Sequence, residues 1–173
     1  LTFLPGPKAN FAATYDTTCN ETDATFLNST TGTNDSWNWI FGNGQSFSGE
    51  NPTGSYHYGS SGNYPAMLIS TNTANGCSDT STQYIFVPSF PKASFTCTNV
   101  CLGKDALFFD ASTADAITPI LTWNWDFNGG EQMSTISSPT IVFNSPGQKQ
   151  VVLDVSTHYC SDDTLITVVV EDI

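Results

Sequence analysis

Apolar and polar positions alternate along much of this chain. Trp37, Trp39 and Phe41 lie two residues apart around polar Asn38, the period that places every second side chain on one face of a half-buried strand. Tyr64, Ala66 and Leu68 repeat the pattern, as do Val151, Leu153 and Val155. Residues 83–87 and 165–170 are apolar and β-branched and read as the last strands of two sheets. Turn-forming clusters such as Gly42-Asn43-Gly44 and Asn51-Pro52 punctuate these runs. No segment combines a helical period with caps at both ends, so the pattern predicts an all-β chain.

The alternating runs occur twice in the same order. Pro7-Lys8-Ala9-Asn10-Phe11 returns as Pro91-Lys92-Ala93-Ser94-Phe95. Cys19, Asp23-Ala24 and Phe26 return as Cys101, Asp105-Ala106 and Phe108 at identical spacing. Trp37-Asn38-Trp39-Ile40-Phe41 returns as Trp123-Asn124-Trp125-Asp126-Phe127, and Cys77-Ser78-Asp79 as Cys160-Ser161-Asp162. Gly62 and Gly147 open corresponding strands. Such an ordered repeat predicts two tandem β-sandwiches of roughly 80 residues each, the size of a small immunoglobulin-like domain. The boundaries fall at residues 7–88 and 89–173, with a short Pro-containing linker, Pro88-Ser89-Phe90-Pro91. Residues 1–6 stand apart. Leu1, Thr2, Phe3 and Leu4 before Pro5 mirror the end of the first copy's last strand before Pro88, so they read as the end of a preceding strand or as a strand passed to a neighbouring subunit.

Charge narrows the partners. The chain carries 4 basic residues, all lysine, against 16 acidic ones, for a net charge of −12. Nucleic acids and anionic membranes both demand clustered Lys or Arg, so neither is an expected partner. No run of about 18 apolar residues exists to insert into a bilayer. The low charged fraction, 12%, against 39% hydrophobic residues fits a secreted β-protein whose solvent-facing strand positions are filled by Thr and Ser. The first residues lack a basic start and a long apolar stretch, so the chain reads as a mature or excised segment.

Against this background the motifs resemble the PKD family of immunoglobulin-like domains, marked by a Trp-Asp-Phe-Gly-Asp-Gly turn, an Asn-Pro, and a Tyr-x-x-x-Gly-x-Tyr leading into an alternating strand. The first copy offers Trp39-Ile40-Phe41-Gly42-Asn43-Gly44, Asn51-Pro52, and residues Tyr58 to Tyr64 around Gly62. The second offers Trp125-Asp126-Phe127-Asn128-Gly129-Gly130, Pro139, and Phe143 to Gly147, with Lys149 where the family has tyrosine. The cysteine of Asn75-Gly76-Cys77-Ser78-Asp79-Thr80 is similar to one in the PKD repeats of surface adhesins from gliding bacteria, where it partners a cysteine ahead of the second strand. The resemblance implies an extracellular, non-catalytic module. Its pairing, extended by the repeat, implies disulfides Cys19–Cys77 and Cys101–Cys160, leaving Cys97 as a free or intermolecular thiol.

Trp39 and Trp125 occupy the place of the central core tryptophan of such a sandwich. Trp37 and Trp123 share that strand face nearer its start, and either pack at the core margin or form an exposed platform for a glycan. Neither His57 nor His158 matches anything in the repeat, and no metalloprotease or nucleophile-elbow motif exists, so no catalytic residue, and no enzyme, is expected. No cofactor is expected, calcium being the one candidate because the loops are rich in Asp and Asn. The chain thus reads as a structural or adhesive module: a repeat of a cell-surface adhesin or a subunit of a surface filament, whose partners are neighbouring copies or adjacent repeats. The alternatives are a polysaccharide-binding module and a non-catalytic spacer of a secreted hydrolase.

Overall fold

The computed structural model describes residues 6–98 and 100–172, and every regular element among them is a β-strand. Two units divide the chain, residues 1–88 and 89–173. In the first, β1 (Phe11–Tyr15), β2 (Thr22–Asn28) and β5 (Tyr56–Tyr58) form a three-stranded sheet in the order β1-β2-β5. Facing it is a four-stranded sheet of β4 (Ser46–Ser48), β3 (Ser36–Ile40), β6 (Gly62–Asn72) and β7 (Cys77–Val87), in the order β4-β3-β6-β7. The second unit repeats this plan. Its three-stranded sheet is β12 (Thr140–Val142), β9 (Asp105–Asp110) and β8 (Phe95–Cys97). Its four-stranded sheet runs β11 (Gln132–Ser134), β10 (Thr122–Phe127), β13 (Gly147–Ser156) and β14 (Ser161–Val170). All pairings within these sheets are antiparallel. The chain is therefore all-β, two immunoglobulin-like sandwiches in tandem.

Each core follows from the alternation. Trp39 pairs with Leu68 across β3 and β6, and Trp125 with Leu153 across β10 and β13, in matching registers. Both indoles are fully buried. Phe11 meets the Trp39 ring edge-on at 5.3 Å, as Phe95 meets Trp125 at 5.0 Å, the edge-to-face geometry that the ring quadrupole favours. Each indole N–H then leaves the apolar core to donate to a loop carbonyl: Trp39 Nε1 to Gly49 O at 3.1 Å, and Trp125 Nε1 to Ile136 O at 2.9 Å. A buried donor is thereby satisfied, and the loop on that side is tied to the core.

The copies differ where the second departs from the family motif, and the structure supplies the reasons. Gly42 holds φ +78° after Phe41, and a Cβ there would meet the Pro65 carbonyl oxygen at 2.7 Å. Its counterpart, Asn128, adopts φ 60°, a left-handed conformation that asparagine tolerates better than most residues. Tyr58 is buried and donates to Phe41 O at 2.7 Å, which drives its phenol pKa far upward by desolvation. In the second copy Phe143 fills the same position without the hydroxyl. Lys149, replacing Tyr64, buries its stem and donates through Nζ to Ser145 Oγ at 2.7 Å.

Candidate functional site

The cysteines mark the two ends of each unit. Cys19 lies in the loop between β1 and β2, where Asn20 N donates to Pro88 O at 2.8 Å, just past the end of β7. Cys77 opens β7, beside Gly6. In the second unit Cys101 bridges to Glu171, just past the end of β14, and Leu102 N donates to Glu171 O at 2.9 Å. Cys160 immediately precedes β14, its amide donating to Thr157 Oγ1 at 3.0 Å. Cys19 and Cys101 are thus equivalent, and so are Cys77 and Cys160, but the two kinds of position sit at opposite ends of a sandwich.

That separation overturns the expected pairings Cys19–Cys77 and Cys101–Cys160. The last strand holds 11 residues in the first unit and 10 in the second. At about 3.3 Å per residue, each pair of sulfurs is separated by roughly 30 Å, whereas a disulfide requires Cα atoms within about 7 Å. Cys77 and Cys101 are free thiols, and the disulfide-bonded residues are Cys19 and Cys160. Cys97 is also free; it ends β8, and burial pushes its thiol pKa up. It shares with Cys101 an open groove of about 620 Å³ between the edge strands β8 and β14, lined also by Val100, Ile166, Val168 and Glu171.

The cysteine blocks contain a residue that the sequence reading passed over. Asp79 Oδ2 accepts from Ala9 N at 2.8 Å, and Asp162 Oδ2 accepts from Ala93 N at the same distance. Each carboxylate pins the incoming chain to the start of the last strand. The signal was present, since Cys-Ser-Asp and Pro-Lys-Ala both recur, but nothing in the sequence showed that the two blocks touch.

Trp37 and Trp123 are half-buried and pack against the margins of the two cores. The Trp123 N–H donates to Asp110 Oδ2 at 2.6 Å. Trp37 is matched by Asn34, whose amide oxygen, in the orientation that satisfies its neighbours, accepts from the indole at 2.7 Å and from Ser70 Oγ at 2.9 Å. Neither ring is a free stacking platform. Among the described residues, the large aromatic side chains that do face solvent, Tyr84, Phe90, Phe109 and Tyr159, are scattered over both units.

The polar loops supply little chemistry. His57 Nδ1 lies 3.1 Å from Asp23 Oδ1 beside an open acidic groove that also includes Asp16 and Glu21, with both partners well exposed. His158 stacks edge-on against Tyr159 in the β13–β14 hairpin. Among the described residues no group of three or more His, Cys, Asp or Glu is arranged to hold a metal ion. Among the described residues no helix is long and apolar enough to cross a membrane. Asp35 accepts from both Thr73 Oγ1, at 2.7 Å, and Thr73 N, at 2.8 Å, which holds its carboxyl below the usual 3.8. Asp115 is lowered by the Ser89 hydroxyl and by the Thr118 and Ile117 amides, an arrangement that fixes a loop to the first residue of its unit. Leu1, Thr2, Phe3 and Leu4 lie outside the described residues.

Sandwich topology, central tryptophan and duplicated blocks define a tandem immunoglobulin-like protein. Residues 5–87 and 89–171 each match the PKD domain, and the chain belongs to that family. Among solved structures it is similar to the PKD1 domain of Vibrio anguillarum Epp, at 26% identity over 50% of this chain and 99% of that one, with a TM-score of 0.45. It is also similar to the PKD1 domain of the Vibrio cholerae metalloprotease PrtV, at 29% identity over 47% of this chain and 98% of that one, with a TM-score of 0.43. A comparison with curated proteins finds no match.

Proposed function

We propose that this chain is a non-catalytic, extracellular structural or adhesive module, used as a repeat of a cell-surface adhesin or as a subunit of a surface filament. The observation that carries the reading is the oxidised state of Cys19 and Cys160 in a tandem pair of PKD domains. Disulfides persist in oxidising compartments and are rare in the cytosol. Solvent-facing strand positions support it too, since Thr80 and Thr82 on β7, and Thr167 on β14, stand where a cytosolic protein would carry Lys and Glu. The polysaccharide-binding alternative loses its best candidates, because Trp37 and Trp123 are committed to the core margins and their N–H groups are engaged.

Protease shaving of intact producing cells, followed by peptide identification, tests the proposal. Peptides from both units should be released before lysis, and Cys19 and Cys160 should be recovered unlabelled by an alkylating agent applied without reductant. Release only after lysis, with all five cysteines alkylated, would refute an extracellular role.

A further inference from the structure

The five cysteines fall into two kinds of position plus one outlier. The first kind lies in the loop ahead of a unit's second strand, beside the end of its last strand: Cys19 and Cys101. The second kind stands at the start of the last strand: Cys77 and Cys160. One member of each kind, Cys19 and Cys160, is disulfide-bonded. The members left over are again one of each kind, and both are free thiols. Cys77 lies the length of β7, roughly 33 Å, from Pro88, where the first unit hands over to the linker. Cys101 lies the length of β14, roughly 30 Å, from the start of that strand, where Asp162 holds the incoming chain at Ala93. Each free thiol is therefore about one strand length away from the linker side of its own unit.

We propose that Cys101 of one copy forms a disulfide with Cys77 of another, joining copies head to tail. The bond would unite the same two kinds of position that are already oxidised within the chain. It rests on the extracellular reading above, because it needs an oxidising compartment. The partner is a second copy of this chain, whose exposed Cys77 supplies the missing kind of position. Cys77 is exposed, and Cys101 opens onto the groove between β8 and β14, so an incoming copy has room to approach. Such an addition is heterologous and need not close, so it extends without limit.

The chemistry balances with a disulfide oxidant. The Cys77 thiol loses its proton, and the thiolate attacks the oxidant's S–S bond, forming a mixed disulfide and expelling one thiolate, which takes up a proton. The deprotonated Cys101 of the second copy then attacks Cys77 Sγ, forming the Cys77–Cys101 bond and expelling the second thiolate, again protonated. Two protein thiols lose two electrons and two protons, and the oxidant's disulfide gains them. Cys97 lines the same groove, but burial raises its pKa and so lowers its own thiolate fraction.

The test uses the full chain with its existing disulfide intact, incubated with oxidised glutathione at mildly alkaline pH. A non-reducing gel should show a ladder of covalent multimers, and peptide mapping should recover Cys77 linked to Cys101. Mixing normal and ¹⁵N-labelled copies should give that linked peptide with mixed labels, which proves that the bond runs between copies. Cys77→Ser and Cys101→Ser should each lose the ladder at least tenfold when incubated alone, and should give a dimer and nothing larger when mixed. Cys97→Ser should keep the full ladder. The proposal is overturned if no multimer forms, if the ladder survives Cys77→Ser or Cys101→Ser, or if the recovered pair is Cys97–Cys101. Shaving of intact cells separates the two ideas: surface-exposed protein without multimers sinks the head-to-tail bond alone, whereas cytosolic protein sinks the extracellular reading.

Discussion

Trp39 lies against Phe11 and Phe26, and its N–H crosses to the Gly49 carbonyl. Trp39→Ala would leave both a cavity and an unpaired carbonyl, so a loss of about 3–5 kcal/mol is expected. Urea unfolding followed by circular dichroism measures it, and Trp125→Ala should cost a similar amount in its own unit. The acidic side chains make a separate prediction. Asp35 and Asp115 are hydrogen-bonded in the ionised form, so their folded pKa values lie below the ordinary 3.8. Their contribution to stability is present above that ordinary value and fades as pH falls through the lowered folded values. Carboxyl-carbon NMR titration should place both midpoints below 3.8, and Thr73→Ala should return Asp35 toward it while leaving Asp115 unmoved.

Strands were legible where one face is apolar and obscure where both faces are polar. The alternation at Tyr64, Ala66 and Leu68 marked β6, but the last strands were read from residues 83 and 165, whereas β7 begins at Cys77 and β14 at Ser161. Their first halves, Cys77-Ser78-Asp79-Thr80-Ser81-Thr82 and Ser161-Asp162-Asp163-Thr164, carry no apolar face and are held by pairing to β6 and β13. Ladder hydrogen bonds depend on backbone, not on side-chain type, and so leave no hydropathic trace. The carboxylates in those halves are testable. Asp162→Ala should unpair the Ala93 amide, costing about 1 kcal/mol and speeding its hydrogen exchange several-fold, while Ala9, held by Asp79, should not change.

At the scale of the whole chain, the repeat revealed the architecture and the equivalence of the cysteines but not their pairing. Equivalence says that Cys19 and Cys101 occupy like places; it is silent on which end of a sandwich each occupies. The missing quantity was strand length, and with the polar halves of β7 and β14 unread, nothing separated Cys19 from Cys77 or Cys101 from Cys160. Monomeric protein denatured with iodoacetamide and without reductant should take up three labels, on Cys77, Cys97 and Cys101. A single label, confined to Cys97, would instead restore the original pairings. Reduction should lower the melting temperature, as expected when a constraint on the unfolded chain is removed.

The placement of Asp79 and Pro88 at opposite ends of β7 has a mechanical consequence. The chain arrives in the first unit at the Asp79 end, held at Ala9, and departs past Val87 at the far end. Tension applied to those two points runs along the strands, and the hydrogen bonds between β6 and β7 lie across them. The ladder is then loaded in shear, many bonds together, instead of being unzipped one bond at a time. A unit built this way should resist pulling more strongly than its thermal stability alone would suggest.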